Sequence, residues 1–107
     1  MTEHKTKFIV GQIVHHKLFD YIGVVFNIDP FFQSSDEWYE QVAQSRPLKN
    51  KPWYHVLVHT SDHTTYVAEQ NLELEKYPKA IQHPQINLLF TKFDGSQYQR
   101  NFQLLFL

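Results

Sequence analysis

The chain contains no cysteine. That excludes disulfide staples and thiolate metal sites, and it suits a reducing compartment. With three glycines and five prolines in 107 residues, it has too few of either for a linker or a low-complexity segment. Neither sign of charge is in excess: ten Lys and Arg face eleven Asp and Glu, a net charge of −1 with His neutral. A dedicated non-specific nucleic-acid binder carries a clear basic surplus, because phosphate neutralisation supplies most of its affinity. Only a local basic patch could play that part here. No apolar run approaches the roughly 20 residues needed to cross a bilayer. Residues 1–7 are polar and charged with no apolar stretch behind them, so no secretory signal is expected, and a cytoplasmic location is.

What is present reads as a single globular domain spanning 1–107. Hydrophobic residues make up 42% and charged residues 20%, which is ordinary globular usage. A chain of this size buries enough apolar surface to fold unaided. Aromatics are abundant, with nine Phe, six Tyr and two Trp, and these residues favour strands and contact surfaces.

Along the chain, Phe8–Lys17 reads as a first extended segment, with a turn at Gly11. Tyr21–Asp29 alternates Ile22, Val24, Phe26 and Ile28 with Gly23, Val25 and Asn27, which predicts a strand with one apolar face ending at Pro30. Ser34 and Glu37 form a capping-box pattern opening a helix over Ser34–Gln44, with Trp38 and Val42 on one face. Trp53–Thr60 is a strand with Tyr54, Val56 and Val58 on one side and Trp53, His55, Leu57 and His59 on the other. After a turn at Ser61-Asp62-His63 the chain returns over Thr64–Glu69 as the second strand of a hairpin, and Leu72 turns inward. Gln85–Phe93 has helical spacing, and Asp94-Gly95 is a turn. Val24, Phe26, Val56 and Val58 are the expected core. Four or five short strands with one short helix and an extension beyond Pro84 predict a mainly β fold, a small SH3-like antiparallel barrel, with an OB-fold as the alternative.

No catalytic set assembles from these residues. There is no G-x-S-x-G elbow, no Gly-rich phosphate loop and no HExxH pair. His55 and His59 lie four apart on a strand, about 13 Å, too far to share one ion. The chain therefore reads as a binding module without enzymatic activity, cofactor or metal. Arg46, Lys49 and Lys51 run directly into Trp53 and Tyr54, a pattern open to three readings. Cations can hold phosphates while aromatics stack on bases. The stretch can be a solvated basic loop leading into a core strand. The aromatics can also form a protein-binding patch.

Several uncommon blocks recur here in a familiar order. Lys7-Phe8, Gly11-Gln12, Val14 and His16 come first, followed by Tyr21, Gly23-Val24-Val25 and Ile28-Asp29-Pro30. Then come Pro52-Trp53-Tyr54-His55-Val56-Leu57-Val58, Thr65-Tyr66-Val67-Ala68-Glu69-Gln70-Asn71-Leu72 and finally His83-Pro84. Over about residues 7–84 the chain resembles the HspQ family, also called the YccV-like or hemimethylated-DNA-binding domain. The resemblance implies an SH3-like barrel in a small cytoplasmic protein of the heat-shock response. It implies two activities, a proteolysis-adaptor role and recognition of hemimethylated DNA. The first assists degradation of denatured proteins, including the replication initiator DnaA, by the Lon protease. The same domain is appended to some F-box proteins that also serve degradation. No catalytic residue carries over. The matched positions Trp53, Tyr54, His55, Tyr66, Glu69 and Asn71 are the candidate partner contacts, together with Arg46, Lys49 and Lys51. The expected function is a quality-control factor acting with a Lon-type protease and unfolded clients. The alternatives are a DNA-binding module and a structural subunit.

Beyond the resemblance, Phe102, Leu104, Leu105, Phe106 and Leu107 form a nearly unbroken apolar stretch. Such a patch is rare on a monomer's surface. It can close the protein's own barrel, pack in a homo-oligomer or be offered to a protease. A closed homo-oligomer is expected, a trimer first and a dimer second.

Overall fold

The computed structural model describes residues 5–43 and 45–102. Five strands form one antiparallel sheet: β1 (Ile13–His16), β2 (Ile22–Asp29), β3 (Trp53–Val58), β4 (Thr64–Ala68) and β5 (Leu72–Leu74), in the order β4-β3-β2-β1-β5. A short helix, α1 (Asp36–Val42), lies between β2 and β3. A single helical turn, α2 (Ile86–Leu89), leads into a hairpin of β6 (Phe90–Phe93) and β7 (Tyr98–Arg100). The fold is mainly β, as expected. The strand order and the interior cluster fit an SH3-like barrel, but the hydrogen-bond ladder stays open among the described residues, with β4 and β5 as its edges.

Residue chemistry explains the joints. Gly11 has φ +100°, and a Cβ there would collide with the Tyr98 carbonyl oxygen. This close approach lets Gly11 bond β2 and β7 at once, donating to the Val25 carbonyl at 2.8 Å and accepting from the Tyr98 N–H at 2.8 Å. Gly23 sits against the β3 backbone, where a side chain would strike Leu57 and Val56. The turn between β1 and β2 closes through Asp20 in the left-handed region, φ 57°. The hairpin of β3 and β4 pairs Trp53 with Ala68 and His55 with Tyr66, in the predicted place.

The core differs from expectation at β2. Val24 and Val25 are both fully buried, on opposite faces. The interior cluster gathers Phe8, Val14, Val25, Tyr54, Val56 and Leu72. The outer face is covered by Ile81 and the β6–β7 hairpin, whose Phe90 and Tyr98 pack on Ile13, Val24 and Leu57. A bulge between Val25 and Asn27 shifts the β2–β3 register and changes which side chains face inward. Val24 and Val56 are therefore core residues of separate clusters, and Phe26 and Val58 are only half-buried.

Two further expectations are corrected and one is extended. The cap of α1 is Ser35, not Ser34: its Oγ accepts from the Trp38 N–H at 3.1 Å, and Ser35 has the extended backbone an N-cap requires. Gln85–Phe93 is one helical turn followed by a strand, because Asp94 nucleates a hairpin instead, its Oδ1 accepting from the Ser96 and Gln97 N–H groups at 2.9 Å each. Leu72 is buried as expected, but it also opens β5, which pairs with β1. Among the described residues no helix is long and apolar enough to cross a membrane. Phe102 is exposed, while Leu104, Leu105, Phe106 and Leu107 lie outside the described residues.

Candidate functional site

A groove of about 630 Å³ runs along β4. Its floor is aromatic. Trp53, His55 and Tyr66 share the outer face of β3 and β4, with ring centroids 5.1 Å apart for Trp53–Tyr66 and 4.6 Å for His55–Tyr66. One wall is α1, which contributes Trp38 and Val42. Trp38 packs edge-on to Trp53 at 5.9 Å and to Tyr66 at 5.7 Å. The other wall is the β1–β2 turn, which presents Leu18 and Phe19. Phe19 is 74% exposed and Val42 54% exposed, so both walls offer apolar surface to solvent.

Polar groups hold these walls in place. His16 is buried, and its Nδ1 accepts from the Leu18 and Phe19 N–H groups at 3.1 Å each. Its ring stacks on Phe19 at 4.7 Å. Burial, with a smaller contribution from neighbouring His15, lowers its pKa and keeps that acceptor nitrogen free of a proton. The His15 ring lies between Asp20 at 2.6 Å and Glu73 at 2.8 Å, and those hydrogen bonds, Asp20 foremost, raise its pKa. On the floor, the Tyr66 hydroxyl donates to Asp29 at 2.6 Å and accepts from the Gln33 N–H at 3.0 Å. Burial, then the bond to Asp29, pushes its phenol pKa well up, so it stays a neutral donor. His55 Nε2 meets the same Asp29 oxygen at 3.2 Å.

The expected partner residues divide into three groups. Trp53, His55, Tyr66 and Asn71 come together at the groove. Arg46, Lys49 and Lys51 do not line it. Arg46 pairs with Glu40 at 2.7 Å, and Lys49 pairs with Asp36 at 3.3 Å while lying 4.3 Å from the Tyr39 ring centroid. Lys51 is exposed, and no acidic partner faces it among the described residues. The loop is also pinned. Tyr39, Trp53 and Phe32 donate to the carbonyls of Pro47, Leu48 and Lys49 at 2.8, 3.0 and 2.8 Å. Trp53 thus serves the loop through its indole N–H as well as the groove through its ring.

Tyr54 and Glu69 face elsewhere. Tyr54 is fully buried, and its hydroxyl donates to Glu69 at 2.6 Å. Glu69 also accepts from the Lys7 N–H at 3.0 Å, so the pair clamps the first described residues onto the sheet. Neither Trp53 nor Tyr54 is exposed, because each packs into a different cluster.

Sequence reasoning missed the two walls. Leu18-Phe19, large apolar residues in a turn between Lys17 and Asp20, was the readable signal. Val42 and Trp38 were read as one helical face, but not as a face turned toward β4.

A family model described as "Hemimethylated DNA-binding protein YccV like" matches residues 6–97. The match reaches past Pro84 through β6 and the Asp94-Gly95 turn, farther than the blocks legible in the sequence.

Proposed function

The chain belongs to the YccV-like family, and on that premise we propose that it is a non-enzymatic protein-binding module that captures extended apolar segments of unfolded proteins and assists their degradation by a Lon-type protease in the cytoplasm. The observation that carries this reading is the groove itself. It is concave, floored by aromatics and walled by exposed apolar side chains, and it follows a strand whose outer edge is unpaired among the described residues. An extended peptide docks on such an edge through main-chain bonds, and its side chains enter the flanking apolar pockets. Among the described residues, histidine and tyrosine are the only ionisable side chains lining the groove, which suits an uncharged segment. The test is binding of a dye-labelled unfolded client, followed by its turnover in a reconstituted protease assay. Phe19→Asp places a carboxylate on the exposed wall and should weaken client binding about tenfold or more. Undiminished binding and turnover would refute the reading.

Recognition of hemimethylated DNA is the second reading, favoured by the family's description. Two of the three loop cations already pair with acids of α1, which leaves Lys51 as the free phosphate contact of that loop. DNA binding through this loop should therefore have a shallow salt dependence. Titration of hemimethylated and unmethylated duplexes across a salt series tests it. Equal affinity for both duplexes would remove methylation sensing, and a steep slope would place the phosphate contacts elsewhere on the protein.

A further inference from the structure

His16 brings to the groove a hydrogen-bond donor that the protein itself does not use. The residue is only 4% exposed. Its Nδ1 accepts from the Leu18 and Phe19 N–H groups at 3.1 Å each, so that nitrogen carries no proton. A neutral imidazole with a bare Nδ1 holds its proton on Nε2 and donates from there. Nε2 has no partner among the described residues, yet no side-chain nitrogen or oxygen among them is buried without one. Nε2 therefore reaches an accessible surface, and the surface that the ring lines is the groove. Contacts with Phe19 and Tyr21, at centroid distances of 4.7 and 5.1 Å, hold the ring in that orientation.

β4 supplies main-chain groups to the same groove. Its ladder with β3 is bounded by the Val58 N–H donating to the His63 carbonyl at 3.1 Å and the Glu69 N–H donating to the Pro52 carbonyl at 3.0 Å. Bonded positions alternate along an antiparallel pair. Thr65 and Val67 therefore bond β3, while the N–H and C=O groups of Thr64 and Tyr66 point away from it and have no partner among the described residues. Thr64 and Tyr66 both line the groove. Tyr21, whose hydroxyl bonds the Thr65 hydroxyl at 2.7 Å, ties the β1 side to this strand.

We propose that His16 is a binding residue of the groove, its Nε2–H donating to a main-chain carbonyl of an extended, uncharged polypeptide segment that also pairs with Thr64 and Tyr66 of β4. The inference rests on the reading of the groove as a client-docking site and names what is recognised there. A neutral donor among apolar walls selects a neutral acceptor. An anion would give up its hydration for one uncharged N–H, with no Lys or Arg lining the groove among the described residues. A peptide carbonyl is the neutral acceptor that every extended segment carries, whatever its side chains. The outward groups of Thr64 and Tyr66 ask for the same partner, since a strand edge reads backbone. The substrate class is therefore defined by conformation and charge, not by sequence: uncharged, extended backbone with free N–H groups. The unshared donor also gives His16 two separate tasks. Nδ1 shapes the wall that carries Leu18 and Phe19, and Nε2 meets what lies against that wall.

The experiment uses the full chain and, as probe, a dye-labelled, capped peptide of alternating valine and serine. Nitrogen-15 NMR of the free protein should show the His16 ring with its proton on Nε2. Saturation with the peptide should move that proton's resonance downfield and slow its exchange with solvent, a change that a purely structural histidine would not show. His16→Asn places an amide oxygen where Nδ1 stood, so the Leu18 and Phe19 N–H groups keep an acceptor while the Nε2 donor is lost. Its affinity for the peptide should fall about fivefold, the loss of one neutral hydrogen bond, with little change in Tm. The same peptide with every backbone nitrogen methylated should bind the unaltered protein about tenfold or more weakly, because it keeps its side chains and loses its donors to β4. A proton found on Nδ1, an Nε2–H resonance unmoved by bound peptide, undiminished affinity in a folded His16→Asn variant, or equal affinity for the methylated peptide would each overturn the proposal. If the Asn variant melts early, the ring resonance in the unaltered protein decides. Binding of an unfolded client is measured alongside. Client and peptide binding with an unmoved ring removes this proposal alone, whereas binding of neither removes the groove reading and this proposal with it.

Discussion

Replacing Tyr54 by Phe deletes one oxygen from the centre of the molecule and leaves its volume almost unchanged. That oxygen donates to Glu69 at 2.6 Å and accepts from the Phe8 N–H at 3.3 Å. A hydrogen bond to a charged group contributes about 1.5–3 kcal/mol. Glu69 is half-buried and keeps its bond from the Lys7 N–H, so water can recover part of the loss. The expected cost is therefore near the lower end, about 1.5 kcal/mol, or a fall of about 6–9 °C in Tm for a domain of this size. Urea titration and a thermal melt measure it. A double-mutant cycle with Glu69→Ala should show coupling of about 1 kcal/mol, because both changes remove the same bond. Client binding should be unchanged, since neither residue lines the groove. An unchanged Tm, or strictly additive effects, would refute the inward role given to this pair. A loss of client binding at unchanged stability would return both residues to the partner surface.

Three further outcomes follow from the geometry. His15 has a folded pKa raised above the unfolded value near 6.5, so its contribution is complete below that pH and disappears as pH rises through the folded value. His15→Gln should thus lower Tm more at about pH 5.5 than at about pH 8.5, and a deficit independent of pH would contradict the Asp20–His15–Glu73 arrangement. His16 has the opposite sign: its folded pKa is depressed, and the stability it confers when neutral is lost as pH falls below about 6.5 through the folded value, which NMR titration of its ring should register as late protonation. Gly11→Ala forces a Cβ against the Tyr98 carbonyl at positive φ and should cost about 1–3 kcal/mol in urea titration. Phe26→Ala, at a half-buried position, should cost about 1–2 kcal/mol, short of the roughly 3–5 kcal/mol of a fully buried Phe.

Sequence patterns gave good guidance wherever a local rule determined the outcome. The β3–β4 hairpin was legible because Trp53–Thr60 and Thr64–Glu69 alternate around a polar turn, and its two faces fell as alternation requires. β2 was legible as a strand but not as a two-sided one. Its alternation was read as a single apolar face, whereas Val24 and Val25 are both buried, because the distant β6–β7 hairpin covers the second face. β5 is three residues long and exists because β1 offers an edge, which no local pattern announces. The groove shows the same limit. Trp53, His55, Tyr66 and Asn71 were picked out by family resemblance, but the walls that make them a groove come from α1 and a turn packed against them. The basic loop misled for a related reason: Glu40 and Asp36, which pair with its cations, lie six and thirteen residues away.

The separation of Val24 and Val25 into different clusters also divides the molecule's response to damage. The β6–β7 hairpin is attached to the sheet by its own aromatic contacts, the Gly11–Tyr98 bonds and one bridge between Gln12 and Gln97. The interior cluster draws nothing from it. Detachment of the hairpin would uncover Ile13, Val24 and Leu57 while the remaining strands stay paired. Under heat stress such a partly opened chain would expose apolar surface of its own and would compete, as a substrate, for the same proteolytic machinery it is proposed to serve.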